Sequence, residues 1–446
     1  MNIHPLLPAS LGLVGAFTGR LFFGRWFNHL TLYSVIWGTG LALFEVRLMN
    51  YYPLTVEVWL MVGYSWIAFA AGSVTLILAK AAVGDSWQAP AMEGATPSFR
   101  EKKTLLFFIL VLSTVALVAV LQHWSILMKR FGGVMGVLLN GARIYHLTVA
   151  GKIGGKIAYI DSFGLTAVCL AGIYSAKSGR VKLLVLLPLV TIILSDMAHG
   201  GRAKVILAGI LFFSAYSFTR LLPGSAKALQ AANRGRRLLA TALVLAVMLT
   251  AIDFIRSYRG AMERFYGTSK ELSKLENNAF LTPSIYLYLS SHVGVFNAYW
   301  KAGGEQAFPG SNSFAPVFRV LSRLELIDYV PYFTKFYNIP ISTNTGTYLR
   351  EIHTDFGIAG ILIAPYVLGF LCTLVWFRIK RYATFTSVAL LAHLYVIVAF
   401  SYFYQVTRLG QWAVSLIVAL LLCSFIDHRD YLRAAMASIQ PRERRS

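Results

Sequence analysis

Thr104 to His123 reads TLLFFILVLSTVALVAVLQH, a run of apolar residues without a single Asp, Glu, Lys or Arg. A bilayer core takes about 20 mainly apolar residues per helix, and this run has that length. It is about twice the length of a barrel strand and does not alternate between apolar and polar. In hydrocarbon every backbone N–H and C=O must be satisfied within the segment, so the run is read as a transmembrane helix.

Ten further stretches have similar character, giving about eleven spans: 6–23, 29–46, 54–79, 104–123, 157–176, 181–198, 203–220, 237–255, 356–377, 384–404 and 410–426. The whole chain agrees. Of its 446 residues 57% are hydrophobic and 13% charged, too apolar for a soluble domain of this size. The expectation is an all-α integral membrane protein with about 11 transmembrane helices. Its parts are transmembrane helices 1–8 over 1–255, one large external loop over 256–355, transmembrane helices 9–11 over 356–426, and a basic cytoplasmic tail over 427–446.

The net charge is +22, and the apolar spans carry almost none of it. A soluble protein this basic would point to nucleic acid; here the cations face lipid headgroups or an anionic substrate, and no nucleic-acid partner is expected. Cationic loops stay cytoplasmic. Lys102 and Lys103, Lys177 and Lys182, Arg236 and Arg237, Arg378 to Arg381 and the tail Arg442 to Arg445 therefore define the inner side. That leaves the N-terminus and 256–355 outside, in the periplasm of a Gram-negative cell. The segment 124–156 breaks the rule, because it is expected outside yet carries Lys129, Arg130, Arg143, Lys152 and Lys156 with no acidic residue. Either a helix is miscounted there or those cations hold an anion.

The three cysteines, Cys169, Cys372 and Cys423, sit in apolar spans and give neither a disulfide framework nor metal spacing. The N-terminus lacks the basic region of a signal peptide, so the first span is expected to be retained. Within the long external segment, Ile285 to Trp300 reads as a helix with Ile285, Leu289, Val293 and Phe296 on one face, lying on the membrane or capping a cavity.

The densest polar cluster runs from Thr343 to Gly357 (TNTGTYLREIHTDFG) and leads into the ninth span. On a helix Arg350, His353 and Thr354 share one face and Glu351 and Asp355 the adjacent one, which gathers a cation, an imidazole and two carboxylates within a turn. The blander account is a helix-start capping and ion-pair cluster. A second candidate is His199-Gly200-Gly201-Arg202-Ala203-Lys204, where glycines admit a ligand to the backbone and Arg202 could grip a phosphate; otherwise it is a tight turn with a snorkelling arginine. Arg256 and Arg259 lie three apart on one helical face, suited either to a pyrophosphate or to ion pairs with Asp253 or Glu263. His292 and Lys301 read as surface residues. No zinc spacing, phosphate loop or dinucleotide fingerprint appears, so neither metal nor cofactor is expected.

These features resemble the oligosaccharide repeat-unit polymerases of the O-antigen polymerase (Wzy) family. The resemblance rests on Leu32 to Leu60, with Trp37 in the second helix and the Tyr51-Tyr52-Pro53-Leu54 turn, and on Gly201-Arg202. It rests also on Tyr286-Leu287-Tyr288-Leu289-Ser290-Ser291 and on Asn344-Thr345 with Asp355-Phe356-Gly357-Ile358 and Gly360. It implies a GT-C-like, metal-independent glycosyltransferase that moves a growing glycan from one undecaprenyl diphosphate onto another lipid-linked repeat unit, in the bacterial inner membrane with its C-terminus cytoplasmic. Its implied partners are the lipid-linked oligosaccharide, membrane lipid, a flippase and a chain-length regulator. Carried over, Arg202, Arg256, Arg259 and Arg350 bind the diphosphate, and His353 or Asp355, with Glu351 beside them, supplies the base. Asn344, Tyr348 and Lys204 are further candidates. A ligase transferring finished glycan from the same lipid has a similar architecture. A flippase should instead show paired, Gly/Pro-broken helices, and no such pairing is visible.

Overall fold

The computed structural model describes residues 4–83, 99–149, 152–154, 159–179, 181–199, 201, 203–222, 272, 274–275, 281–328 and 335–439. The expected eighth helix at 237–255, Arg202, Arg256 and Arg259 lie outside them. The chain is mostly helical, as expected of an all-α membrane protein. Among the described residues, Leu6–Phe23, Val56–Ala82, Glu101–Phe131, Tyr348–Tyr382 and Gly410–Arg429 are helical segments long and apolar enough to cross a membrane. Leu183–His199, Ala203–Thr219 and Phe385–Phe400 are apolar but shorter.

The chain divides into two compact units. The first comprises Met1–Trp87, Met262–Leu374 and Leu394–Gly410; the second comprises Gln88–Ala261, Val375–His393 and Gln411–Ser446. The described part of the long segment 256–355 thus belongs to the same unit as the first three helices.

In the first unit α1 (Leu6–Phe23) and α2 (His29–Val46) form a hairpin. Gly24 in the left-handed conformation ends α1, and the Asn28 side chain accepts from the Thr31 N–H to start α2. The two helices touch backbone to backbone at Gly12 and Gly38, where a Cβ on Gly38 would stand 2.7 Å from the Gly12 Cα. Small residues allow such approach where lipid gives helices no hydrophobic reason to pair. α3 (Val56–Val83) follows. Tyr33 of α2 stacks on Phe69 of α3 with ring centroids 4.1 Å apart, and its hydroxyl meets Ser65 Oγ at 2.9 Å and Tyr348 Oη at 3.0 Å.

In the second unit α4 (Phe99–Phe131) runs past the apolar stretch at both ends. It continues through α5 (Val134–Leu139) and α6 (Gly141–Val149). Trp124 and Leu127 of α4, Val137 of α5, Ile144 of α6 and Ala198 form one buried cluster. Much of the cationic segment 124–156 is helical: its first turns extend α4, and the Arg130 guanidinium donates to the Lys152 carbonyl at 2.8 Å. α7 (Phe163–Ser178) is buried on all sides from Gly164 to Ala176, as suits a helix apolar all round. It packs on α4, α8 (Leu187–His199) and α9 (Ala203–Thr219). The three cysteines are free and buried.

The stretch expected to be one amphipathic helix, lying on the membrane or capping a cavity, is two buried ones, α10 (Pro283–Ser290) and α11 (His292–Lys301). Tyr286, Leu287, Val293, Phe296 and Tyr299 are all buried, so neither helix lies on the membrane. His292 is likewise buried rather than on the surface, held between the carbonyls of Thr345 at 2.9 Å and Tyr288 at 2.6 Å. Burial draws its imidazole down to about 4 against the pull of those two carbonyls. The amphipathic helix is the next one, α12 (Ala315–Arg323). Val317 and Val320 are exposed on it, with Phe314 and Leu324 at its ends, while Ala315 is buried and Arg319 Nη1 donates to the Arg408 carbonyl at 2.9 Å.

A short hairpin, β1 (Tyr337–Asn338) with β2 (Ser342–Thr343), precedes α13 (Tyr348–Tyr382). α13 is two helices in series, because Gly357 at φ 60°, ψ −151° interrupts it. α14 (Phe385–Phe400) and α15 (Gly410–Ile439) complete the described chain.

Candidate functional site

The first turns of α13 start at Tyr348, nine residues before Gly357, and bring the polar cluster into helical register. Arg350, the second largest of the fully buried side chains among the described residues, is 1% exposed. Its Nη1 donates to the Asn344 carbonyl at 2.9 Å and Nη2 to the Lys335 carbonyl at 2.9 Å and to the Glu305 carboxylate. Tyr337 Oη donates to the same Glu305 oxygen at 2.9 Å, and the guanidinium lies 5.0 Å from the Tyr337 ring centroid. Burial, then the Glu305 carboxylate, pushes the Tyr337 phenol up to about 12. A planar fork with five donors can tie a carboxylate, two carbonyls and an aromatic face at once, which an ammonium cannot. Arg350 thus secures the hairpin and the 305 loop to α13, and is not a free cation waiting for a diphosphate.

His353, one turn on, is only half-buried. Its Nδ1 lies 2.8 Å from Tyr299 Oη, and the rings of Tyr299 and Trp300 pack edge-on to it at 5.7 and 5.4 Å. Thr354 Oγ1 lies 3.0 Å from Tyr299 Oη and 2.9 Å from the Arg350 carbonyl. Thr354 has one proton for two acceptors, so this chain has two arrangements. Given to Tyr299, that proton makes Tyr299 donate to Nδ1 and leaves Nε2 protonated. Given to the carbonyl, it makes Tyr299 donate to Thr354 and accept from Nδ1–H, which bares the Nε2 lone pair as a general base needs. Among the described residues Nε2 has no hydrogen-bond partner.

The carboxylates behave differently. Asp355, 4% exposed, accepts from Asn312 N at 3.0 Å, Asn312 Nδ2 at 2.9 Å, Ser313 N at 2.6 Å and Ser313 Oγ at 2.7 Å. Both oxygens are engaged, so it anchors the turn before α12 and offers no lone pair for an acceptor hydroxyl. Glu351 is buried in the field of Arg350 and Arg408, with Oε2 unpartnered among the described residues. It lacks the exposure of His353. Arg408 also donates to the Asn312 side chain, so this charged cluster closes on the same turn.

Of the remaining sequence candidates, Asn344 meets Arg350 through its backbone carbonyl, and Tyr348 is a buried hydrogen-bond partner of Tyr33 and Ser65. Lys204 belongs to the second unit, where its ammonium pairs with Asp161 at 2.8 Å and donates to Ser195 Oγ at 3.0 Å. Nearby, Asp196 accepts from the Val205 N–H at 2.9 Å, and the His123 and His199 rings lie 4.6 Å apart. Among the described residues no group of three or more His, Cys, Asp or Glu could hold a metal ion. Glu305, Tyr299, Trp300, Tyr337 and Arg408 are the site residues that sequence spacing missed. No family model, no curated protein and no solved structure matches this chain.

Proposed function

We propose that this protein is a GT-C-like membrane glycosyltransferase that polymerises undecaprenyl-diphosphate-linked oligosaccharide repeat units, at the outer face of a bacterial cytoplasmic membrane. The observation that carries the reading is His353: a partly buried imidazole at the start of a long apolar helix, with Nδ1 tied into a Tyr299–Thr354–carbonyl chain and Nε2 open among the described residues. An acceptor hydroxyl within hydrogen-bond reach of Nε2 would give up its proton as its oxygen attacks the anomeric carbon of the donor glycan. The bond from that carbon to the diphosphate breaks, and undecaprenyl diphosphate leaves with the electron pair. The proton passes from His353 to water. Arg202, Arg256 and Arg259 remain the candidates to stabilise the departing diphosphate. Arg350 acts through position, by holding the turn that carries His353.

The test is purified protein in lipid nanodiscs with a synthetic undecaprenyl-diphosphate repeat unit, followed by separation of the glycans. A ladder formed by the wild type and lost in His353→Gln supports the polymerase. A single transfer to a different acceptor would point to a ligase, and movement of the lipid across liposomes without new glycosidic bonds would point to a flippase.

A further inference from the structure

The Tyr51-Tyr52-Pro53-Leu54 turn has no part in the chemistry above, yet the structure holds it firmly at the rim of an open cleft of about 380 Å³. Asn297 clamps the turn: its Oδ1 accepts from the Thr55 N–H at 3.0 Å and its Nδ2 donates to the Pro53 carbonyl at 3.2 Å. Tyr51 is pinned behind it, stacked on Phe44 at 4.7 Å and bonded to Ser290 Oγ at 2.8 Å. With its neighbours fixed, Tyr52 stands 52% exposed at the mouth of the cleft.

The floor is α11. Gly294, Ala298 and Ala302 follow one another at intervals of four and present a low surface on one helical face. A Cβ on Gly294 would meet Phe44 at 3.1 Å and Ile339 at 3.6 Å, so a larger residue there would crowd its neighbours. The far wall is Tyr337, the residue whose phenol is tied to Glu305 and whose ring neighbours both Arg350 and Tyr299. Beside the Tyr52 phenol, the rim carries the exposed Lys301 ammonium and the exposed Asn338 carboxamide, each without a hydrogen-bond partner among the described residues.

We propose that this cleft is a saccharide subsite: a sugar ring lies on α11 between Tyr52 and Tyr337, with its hydroxyls read by Asn338 and an anionic substituent read by Lys301. The volume suits a small ligand with a few convergent polar groups. Tyrosine offers an apolar ring to the C–H face of a sugar and a hydroxyl at its edge. A lipid tail would leave the ammonium and the carboxamide without partners. Its role as the place where the acceptor glycan is held rests on the polymerase reading; binding of an acidic saccharide does not.

The experiment is saturation-transfer NMR on the full-length protein in nanodiscs. Two probes are used: an acidic disaccharide of glucuronate and N-acetylglucosamine, and the neutral N,N′-diacetylchitobiose. The acidic probe should bind the wild type more tightly. Ala298→Phe, which fills the cleft, should abolish binding of both, and Lys301→Gln should weaken the acidic probe roughly tenfold while leaving the neutral one unchanged. Lys301 is exposed, so its variant folds even if the bulkier one does not, and a melting curve reports on both. Equal binding to the wild type and Lys301→Gln, or no saccharide binding by the wild type, overturns the proposal. Intact binding with no ladder formed would sink the polymerase and leave the subsite standing.

Discussion

Replacing Asp355 separates two roles that the sequence left together, base and anchor. In Asp355→Asn the side-chain amide can still accept at one oxygen from Asn312, but an NH2 group then faces the N–H and hydroxyl of Ser313, previously at 2.6 and 2.7 Å. Two charge-assisted hydrogen bonds, each contributing about 1.5–3 kcal/mol, are lost: the Ser313 N–H is left in a donor–donor conflict in a site that is 4% exposed, and the Ser313 hydroxyl has to turn round to accept from the new NH2. Local relaxation recovers part of this, leaving a loss of roughly 3–4 kcal/mol, in the range found on breaking buried polar networks. At about 2–4 °C per kcal/mol for a body of this size, the melting temperature should fall by roughly 10 °C. The assay is intrinsic-fluorescence melting in nanodiscs alongside the glycan ladder at a temperature well below both midpoints. An anchor predicts lower stability together with an activity that Glu, reaching the same donors, restores in part. A variant that melts with the wild type yet makes no ladder would refute the anchoring role and return Asp355 to the chemistry.

His353→Gln should do the reverse, lowering the rate of ladder formation about 100-fold or more while moving stability by less than about 1 kcal/mol, since the side chain is half-exposed and loses one hydrogen bond. Tyr299→Phe breaks the chain between Nδ1 and Thr354, and the expected outcome is a fall in rate of roughly tenfold with the pH optimum displaced; an unchanged pH profile would disconnect Tyr299 from the imidazole. Arg350→Ala removes the tie to Glu305, Asn344 and Lys335 and should cost about 3 kcal/mol by melting, with Arg350→Lys recovering only part because an ammonium cannot fork. Gly357→Ala forces a side chain into φ 60°, ψ −151° and should cost about 1–3 kcal/mol, whereas Gly360→Ala would clash with Ile352 by packing alone and serves as the contrast.

The hairpin at the start of the chain was legible from its apolar runs 6–23 and 29–46, whose ends coincide with the caps at Gly24 and Asn28. α4 and α13 came out longer than their apolar runs, since Glu101 to Lys103 and Arg378 to Arg381 remain helical while leaving the hydrocarbon, and hydropathy marks only the greasy part. The shared face of Arg350, His353 and Thr354 was readable from the helical period. What those side chains meet was not: Glu305 lies 45 residues from Arg350 and Tyr299 lies 54 from His353, contacts that arise from how α11 and the hairpin fold back. The same holds for the stretch 285–300, whose polar positions are occupied by Asn297 and His292 bonding to other parts of the first unit. Asp355 read as chemistry because a carboxylate beside a histidine looks alike whether its oxygens are open or filled.

Gly357 also sets the phase of everything downstream. Beyond it Ile358, Leu362, Ile363, Tyr366 and Val367 turn outward as one continuous stripe, while before it Arg350, Glu351 and Asp355 turn inward. In an uninterrupted helix these two patterns would be locked at 100° per residue, and any drift in the outer stripe would rotate the charged face with it. The single left-handed residue acts as a joint between two independently indexed rods. The face turned to the hydrocarbon and the face that carries the charged cluster are therefore set by two separate helical registers.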